Sequence, residues 1–570
     1  MKKILSLIIV LLAALVPAGA ETVKIKVVQT TDLHGNFFPY NFIKREAWGG
    51  SLARVHSFVE NERKTYGDNV ILLDGGDILQ GQPSAYYYNF MDTVSTHLCA
   101  DIMNYMRYSA AAMGNHDIET GHSVYDRWVK DCNFPVLGAN IIDTKTGNPY
   151  LPPYKVVDCN GVKVAILGLI TPAIPAWLAE NLWSGLYFED MEESARKWVK
   201  IIQKKERPDV LIGLFHSGRD ATRTIGKWNE NASVSVAQNV PGFDIVLMGH
   251  DHQPYCKNVP TADGNYVMAV NAGSNGYSVG DIEIAVTKNG NETDKLIDAC
   301  LTDMRNYEPS ADFMEHFKSQ YNEVNGFVNQ RIGSITADLE TVPAYFGSSA
   351  FIDFIHTLQM GISGAEISFA APLSFDATIK QGDIYISDMF SLYKYENMLY
   401  VMTLSGKEIK DYLEFSYLIW TQQMTSPDDH LLLLKETPKG FAFQKASYNF
   451  DSAAGIIYTV DVTKPQGEKI NIISLADGSA FDMDKTYRVA LNSYRGNGGG
   501  ELLTRGAGIP QEELTKRIVF STDKDLRYYM MEYIRKHGTL SPKALNQWRF
   551  IPEEWVIPAA QRDKDLLFGK

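Results

Sequence analysis

Gly249-His250-Asp251-His252 closes an apolar run, Phe243-Asp-Ile-Val-Leu-Met248, that reads as a buried strand. The glycine lets the backbone turn sharply as it leaves the sheet. In an α/β sheet, ligands gather beyond the carboxyl ends of the strands, so His250 and His252 face a site rather than a core. Taken alone, the tetrapeptide reads equally well as a histidine-rich surface loop. Four other strand ends upstream change that balance.

Val23–Thr30 alternates Lys with Val and Ile and runs into TTDLHGN at 30–36. Val70–Leu73 ends in Asp-Gly-Gly-Asp at 74–77, and Ser109–Met113 leads into GNHDIETG at 114–121. Val162–Leu167 is a further strand, and Asp209–Phe215 runs into His216-Ser-Gly218. Strands alternating with helical segments up to about residue 305 predict an α/β sandwich. Each strand end brings N or O ligands: Asp32 and His34, Asp77, Asn115 and His116, His216, then His250 and His252. These residue types suit divalent first-row metals. With His116 set aside, seven donors are too many for one tetrahedral site and about right for two ions sharing a carboxylate. Two metals roughly 3.5–4 Å apart are a common apparatus for phosphate ester hydrolysis.

DLH, GGD, GNHD, HSG and GHDH, in this order, resemble the calcineurin-like metallophosphoesterases. The resemblance implies two divalent ions (Mn, Zn, Co or Fe), one held by Asp32, His34, Asp77 and His252. The other would take Asp77, Asn115, His216 and His250, with Asp77 bridging. His116 matches the histidine that faces the phosphate in that family, where it stabilises the transition state or protonates the leaving alkoxide. A core histidine at the strand–loop junction is the plainer reading of His116, and the seven ligand positions displace it. In related 5′-nucleotidases a carboxylate three residues later orients this histidine. That place is Glu119 here, one methylene longer than Asp, while Asp117 directly follows His116; both are weaker catalytic candidates. His56, His97 and His122 have no such context and read as surface or loop residues.

At 570 residues the chain exceeds one core, so two domains are expected. A net charge of −14 argues against polymeric nucleic acid as a partner, though a nucleotide can still bind at a local cationic centre. Met-Lys-Lys, the apolar run Ile4–Val16 and Pro-Ala-Gly-Ala predict a signal peptide over 1–20. The run falls short of the roughly 20 residues of a membrane span. Export to the periplasm or extracellular space, with no span after cleavage, is the expectation. Cys99, Cys132, Cys159, Cys256 and Cys300 form no C-x-x-C pair, so no zinc ribbon is indicated, and at least one thiol stays unpaired within the chain.

Residues 309–333 are helix-compatible, with Ser310 or Asp312 as a cap, and are expected as a linker helix. Beyond 334 the texture becomes α+β: a helix at Ala350–Gly361, strands at Glu366–Ala371, Leu399–Leu404, Ile456–Val462, Asn471–Ser474 and Tyr487–Leu491, and a helix opened by a Ser405/Glu408 capping box. In Asn492-Ser-Tyr-Arg-Gly-Asn-Gly-Gly-Gly-Glu501, consecutive glycines allow close backbone approach to a ligand. Tyr494 beside that loop and Tyr448 in Ser447-Tyr-Asn-Phe-Asp are candidates for stacking a base, worth roughly 1–3 kcal/mol. With 30 tyrosines in the chain, core roles compete with that reading.

AAPLSF at 370–375, SGKEIKDYLE at 405–414, YNFDSAAG at 448–455 and NSYRGNGGG at 492–500 resemble the C-terminal domain of the periplasmic 5′-nucleotidase superfamily. They are most similar to its 2′,3′-cyclic-nucleotide 2′-phosphodiesterase/3′-nucleotidase branch. The resemblance implies that Tyr448 and Tyr494 sandwich the base, with Asn492, Gly498 and Gly499 lining the substrate. The 5′-nucleotidase branch tends to carry an Asp where Gly500 stands, on the ribose hydroxyls. Its absence leans towards substrates whose 2′ and 3′ oxygens carry the phosphate, although Glu501 follows at once.

The expected molecule is a four-layer α/β metallophosphoesterase sandwich over 21–308, a linker helix over 309–333, a smaller α+β nucleotide-binding domain over 334–550 and a tail over 551–570. It would be a monomer that opens 2′,3′-cyclic nucleotides and dephosphorylates 3′-nucleotides by attack of metal-bound hydroxide. The rivals are a 5′-nucleotidase/UDP-sugar hydrolase, a catalytically silent nucleotide binder and an extracellular nuclease.

Overall fold

The computed structural model describes residues 21–220, 224–225, 227–289, 292–438 and 440–569. The expected signal peptide lies outside the described residues. Twelve strands build two six-stranded sheets in the first unit. They are β1 (Glu21–Thr30), β2 (Val70–Asp74), β3 (Ala110–Ala112), β4 (Val136–Leu137), β5 (Tyr154–Cys159), β6 (Val162–Ile170), β7 (Val210–His216), β8 (Ile245–Met248), β9 (Tyr255–Pro260), β10 (Tyr266–Asn271), β11 (Ser278–Asn289) and β12 (Glu292–Asp303). The orders are β12-β11-β1-β2-β3-β4 and β9-β10-β8-β7-β6-β5. In each sheet four strands run parallel, and the remaining pairings are antiparallel.

Buried parallel strands need apolar residues on both faces. β7, Val-Leu-Ile-Gly-Leu-Phe-His, is buried at every position. Ile25, Val27, Ile71 and Leu73 of one sheet meet Val164, Ile166, Ile212, Leu214, Ile245 and Leu247 of the other in a shared core. Helix α1 (Leu52–Tyr66) covers the outer face of the first sheet along β1 and β2. One short helical turn, α2 (Asn115–Glu119), follows the end of β3. The outer face of the second sheet is covered by α3 (Met191–Lys205) and α4 (Ser233–Asn239), whose Met191, Ala195, Val199, Ile202 and Val236 pack on Leu167, Leu169, Leu211 and Val246. The result is the four-layer sandwich.

The described residues up to Asn41, with Arg45–Ile174 and Leu182–Asn322, form the first unit; Phe42–Lys44, Pro175–Asn181 and the chain from Glu323 form the second. The stretch expected as one linker helix is two helices, Ala311–His316 and Lys318–Val328, followed by a strand at Arg331–Ile335. Ser310, not Asp312, is the cap, accepting from Phe313 N at 3.3 Å.

The second unit is organised on a five-stranded sheet. Its strands are β13 (Ile367–Ala370), β14 (Met398–Ser405), β15 (Ser452–Ala454), β16 (Thr486–Asn492) and β17 (Ile518–Asp525), in the order β15-β13-β16-β14-β17. Two helices pack there, α5 (Ala350–Ser363) and α6 (Gly406–Trp420). The capping box opens α6 as expected: Glu408 N donates to Ser405 Oγ at 3.2 Å and Ser405 N to Glu408 Oε2 at 2.8 Å. The segment read as a tail is a helix, Glu553–Phe568, that places Val556 and Ala559 in the core of this unit. No helix among the described residues is long and apolar enough to cross a membrane, and all five cysteines are free thiols.

Candidate active site

Register brings the ligand loops together. Thr30 pairs with Asp74, so the loops carrying Asp32 and Asp77 leave adjacent strands at one level. They are laced by backbone bonds, Asp32 N to Gly76 O and His34 N to Asp77 O, both 2.9 Å. Phe215 pairs with Met248, which aligns the ends bearing His216 and His250. His250 N donates to both Asp32 carboxylate oxygens at 3.0 Å and joins the two sheets at the site.

Five of the seven expected ligands sit on left-handed backbone: φ is 50° at Asp32, 48° at His34, 59° at Asp77, 74° at His250 and 56° at His252. For residues with a Cβ this costs on the order of 1–2 kcal/mol each. Such strain persists where the surroundings over-determine the conformation, and it clusters at functional sites.

Asp32, His34, Asp77 and His252 each offer a ligand atom within 4.8 Å of all the others, and so do Asp77, His216 and His250. Asp77 belongs to both groups. Asn115 joins the second: its Oδ1 lies 2.9 Å from His216 Nε2 and 2.8 Å from His250 Nδ1. These donors fit divalent cations. His34 Nδ1 faces Gln80 O at 3.0 Å, His216 Nδ1 faces Gly75 O at 2.7 Å and His250 Nε2 faces Glu230 Oε1 at 3.2 Å. Each ring therefore turns its other nitrogen inward, as a lone pair when the ring is neutral. Asp77 Oδ1 accepts His116 N at 2.8 Å. Its buried Oδ2 lies 3.1 Å from His216 Nε2 without an aligned hydrogen bond. A carboxylate oxygen left this way is costly, and a cation offsets that cost.

Charge balance points the same way. Burial opposes protonation of His216, but Asp77 and Asp32 outweigh it and push its pKa up to about 10. Burial dominates at His34 and, with the neighbouring His252 and His116, lowers it to about 4. A proton on His216 thus carries the positive charge that a cation supplies when it binds and displaces that proton.

His116 lies in the first turn of α2 beside His34, with ring centroids 5.5 Å apart. Its Nδ1 lies 2.5 Å from Glu119 Oε2. Burial would lower its pKa, but the Asp77 and Glu119 carboxylates raise it to about 9. The longer Glu side chain reaches the ring after all. Asp117 does not: it is fully buried and accepts from the backbone N–H groups of Asp77, Ile78, Leu79 and Gly114 at 2.8–3.0 Å. It holds the Asp77 loop in place, which corrects its reading as a catalytic candidate. His97 is likewise no surface residue: it is fully buried, 2.9 Å from Asn89 Oδ1. His56 is also buried, stacked on Tyr105.

In the second unit, Arg495 draws the two tyrosine motifs together. It lies in helix α7 (Ser493–Gly496) and reaches Asp451, Asn449 Oδ1 at 3.2 Å, Tyr448 O at 3.1 Å and Gly499 O. Asn492, expected to line the substrate, is the N-cap of α7 and accepts from Arg495 N at 2.8 Å. Gly498 has φ +102°, and a Cβ on Gly499 would sit 2.5–2.6 Å from Tyr494 ring carbons, so both glycines let neighbours lie on the backbone. The Tyr448 and Tyr494 rings are 6.3 Å apart and nearly perpendicular, at 83°. This is not the parallel slot expected for a sandwiched base. Aromatic rings in direct contact favour edge-to-face geometry, and a base stacks on both only after one ring turns. Two contributors escaped the sequence reading. Glu230 carries no motif of its own, whereas Arg495 was visible inside NSYRG as a charged residue in an otherwise small and polar loop.

Fold and donor set define a metallophosphoesterase. Residues 25–254 match the calcineurin-like phosphoesterase family and residues 331–505 the 5′-nucleotidase C-terminal domain, so the chain combines these two domains. It is 26% identical over 605 residues to a 2′,3′-cyclic-nucleotide 2′-phosphodiesterase/3′-nucleotidase of Yersinia enterocolitica, covering 93% of this chain and 89% of that one. It is 27% identical over 594 residues to a trifunctional nucleotide phosphoesterase protein of Bacillus subtilis, covering 94% of this chain and spanning 39% of that protein's length. Its fold matches that of a 5′-nucleotidase precursor from Thermus thermophilus with a TM-score of 0.62 at 21% identity, over 93% of this chain and 100% of the other.

Proposed function

We propose that the chain is an exported hydrolase that opens 2′,3′-cyclic nucleotides to 3′-nucleotides and dephosphorylates these to nucleosides. The observation that carries the chemistry is the assembly of seven donors around Asp77, beside the His116–Glu119 pair. Asp32, His34, Asp77 and His252 would hold one divalent ion, and Asp77, Asn115, His216 and His250 a second. When bound, the ions polarise the phosphoryl oxygens and activate water.

The protein's own groups do the rest. Asp117 and the backbone of His116 fix Asp77. Glu119 holds His116 by Nδ1, so that Nε2–H is left to pin a phosphoryl oxygen or to protonate the leaving alkoxide. Tyr448 and Tyr494 stack the base once their rings become parallel.

The choice of ester rests on the relatives' names and on the glycine loop. A Cβ at Gly500 would stand 2.2 Å from Arg495 Nη1 and 2.3 Å from Asn449 Oδ1 on left-handed backbone, so an Asp there requires both side-chain ends to move. Glu501 pairs with Arg505 at 3.0 Å. The test is phosphate and nucleoside release from 2′,3′-cAMP, 3′-AMP and 5′-AMP with Mn²⁺. Turnover of the first two without the third supports the assignment. Dominant 5′-AMP hydrolysis transfers the chain to the 5′-nucleotidases, and no turnover in any arm leaves a silent binder.

A further inference from the structure

His250 differs from His34 and His216 in what holds its outer nitrogen. Those two rings face backbone carbonyls, Gln80 O and Gly75 O, whereas His250 Nε2 lies 3.2 Å from a carboxylate oxygen of Glu230. The segment bearing Glu230 is sewn to the loop after β7. Ser217 Oγ donates to Glu230 O at 2.9 Å, Ala232 N to Ser217 Oγ at 2.8 Å, Gly218 N to Asn231 Oδ1 at 3.0 Å and Ser233 Oγ to Ser217 O at 2.7 Å. None of these bonds uses the Glu230 side chain, which is 15% exposed. The backbone of this segment is thus anchored beside His216, and its carboxylate is aimed at His250.

A neutral imidazole keeps one N–H, and the nitrogen that keeps it cannot ligate a metal. Both ring nitrogens face oxygens, Nδ1 towards Asn115 Oδ1 at 2.8 Å and Nε2 towards Glu230 Oε1 at 3.2 Å; with a cation held by Nδ1 and Asn115 Oδ1, the Nε2–H goes to the carboxylate. We propose that Glu230 is a positioning residue of the cation site formed by Asp77, Asn115, His216 and His250: it takes the Nε2–H of His250 and so presents Nδ1 as a ligand. The assignment rests on the two-cation reading above.

The test is Co²⁺ titration into chelator-stripped protein, followed by visible absorption and competition with a chromogenic chelator. The wild type, Glu230→Ala and Glu230→Gln are compared, and the melting temperature of each metal-free protein is recorded. Two ions are expected in the wild type. Glu230→Ala should weaken one of them by about 10–100-fold, with the metal-free melting temperature unchanged. Glu230→Gln, whose Oε1 still accepts Nε2–H, should recover most of the loss. Unchanged affinity for both ions in Glu230→Ala overturns the proposal. So does a fall in metal-free melting temperature without rescue by Gln, which marks a structural role. A wild type that binds fewer than two ions refutes the two-cation reading itself, and this assignment falls with it.

Discussion

The Arg495 guanidinium lies bidentate on the Asp451 carboxylate, Nε to Oδ2 at 3.1 Å and Nη2 to Oδ1 at 2.8 Å, with both side chains buried. Tyr412 OH donates to the same carboxylate. Removing one member of a buried pair strands the other charge, at a cost of about 3–5 kcal/mol. Arg495→Ala should lower the stability of the second unit by that amount and raise KM, because Tyr448 and Gly499 lose their common anchor. Urea unfolding and steady-state kinetics check both; an unchanged KM removes the pair from substrate binding.

Gly499 tests the stacking role of Tyr494. Its φ is not left-handed, so Ala meets no backbone penalty, only the Tyr494 ring at 2.5–2.6 Å. Gly499→Ala should displace the ring and raise KM for nucleotides several-fold. Hydrolysis of bis(p-nitrophenyl) phosphate, which has no base, should hold. Equal losses on both substrates would count against stacking.

The His116–Glu119 pair has a signature in pH. His116 is held up to about 9 by Asp77 and Glu119 against burial. If its imidazolium is the active form, activity declines as pH rises through that value. Glu119→Gln withdraws one of the supporting charges, so the alkaline limb of kcat/KM should move to lower pH while the acid limb stays. A limb that does not move separates Glu119 from the proton on His116.

His356 predicts acid sensitivity of the second unit. It is fully buried between Ser368 Oγ at 2.9 Å and Ser452 Oγ at 3.1 Å, and burial lowers its pKa to about 3. The unfolded chain takes up this proton near pH 6.5, so its contribution is complete above that pH and is lost as pH falls from 6.5 towards 3. The slope is about 1.4 kcal/mol per pH unit. His356→Gln, which can still bond both serines, should remove roughly 2 kcal/mol of the stability difference between about pH 6.5 and pH 5. Urea midpoints at the two pH values decide it; parallel shifts in both proteins refute it.

The loops carrying the candidate ligands were legible because each is a short motif fused to an apolar strand, and register alone then brings them together. Less legible was which carboxylate after His116 turns towards it. Helical spacing puts i and i+3 on one face, which favours Glu119 over Asp117, and the sequence reading stopped at the side-chain length. Asn492 preceding a helix was open to reading as a cap, but the glycines beside it suggested a ligand. The tail was opaque for a different reason. Trp548 belongs to a strand that pairs with Tyr458 in parallel, and His430 Nδ1 meets Asp563 at 2.5 Å. Such partners are some ninety to one hundred and thirty residues apart, and local pattern does not record them.

The bond from His250 N to Asp32 joins positions 218 residues apart. During synthesis, Asp32, His34, Asp77 and Asn115 emerge long before the three later histidines. The early residues alone form an incomplete and weak cage. Closing a loop of that length costs on the order of 5 kcal/mol of chain entropy, which must be met by the packing of both sheets before the donors converge. On the proposed two-cation reading, tight cation uptake would be a late event in the life of the chain, and it would certify the assembly of the whole N-terminal sandwich.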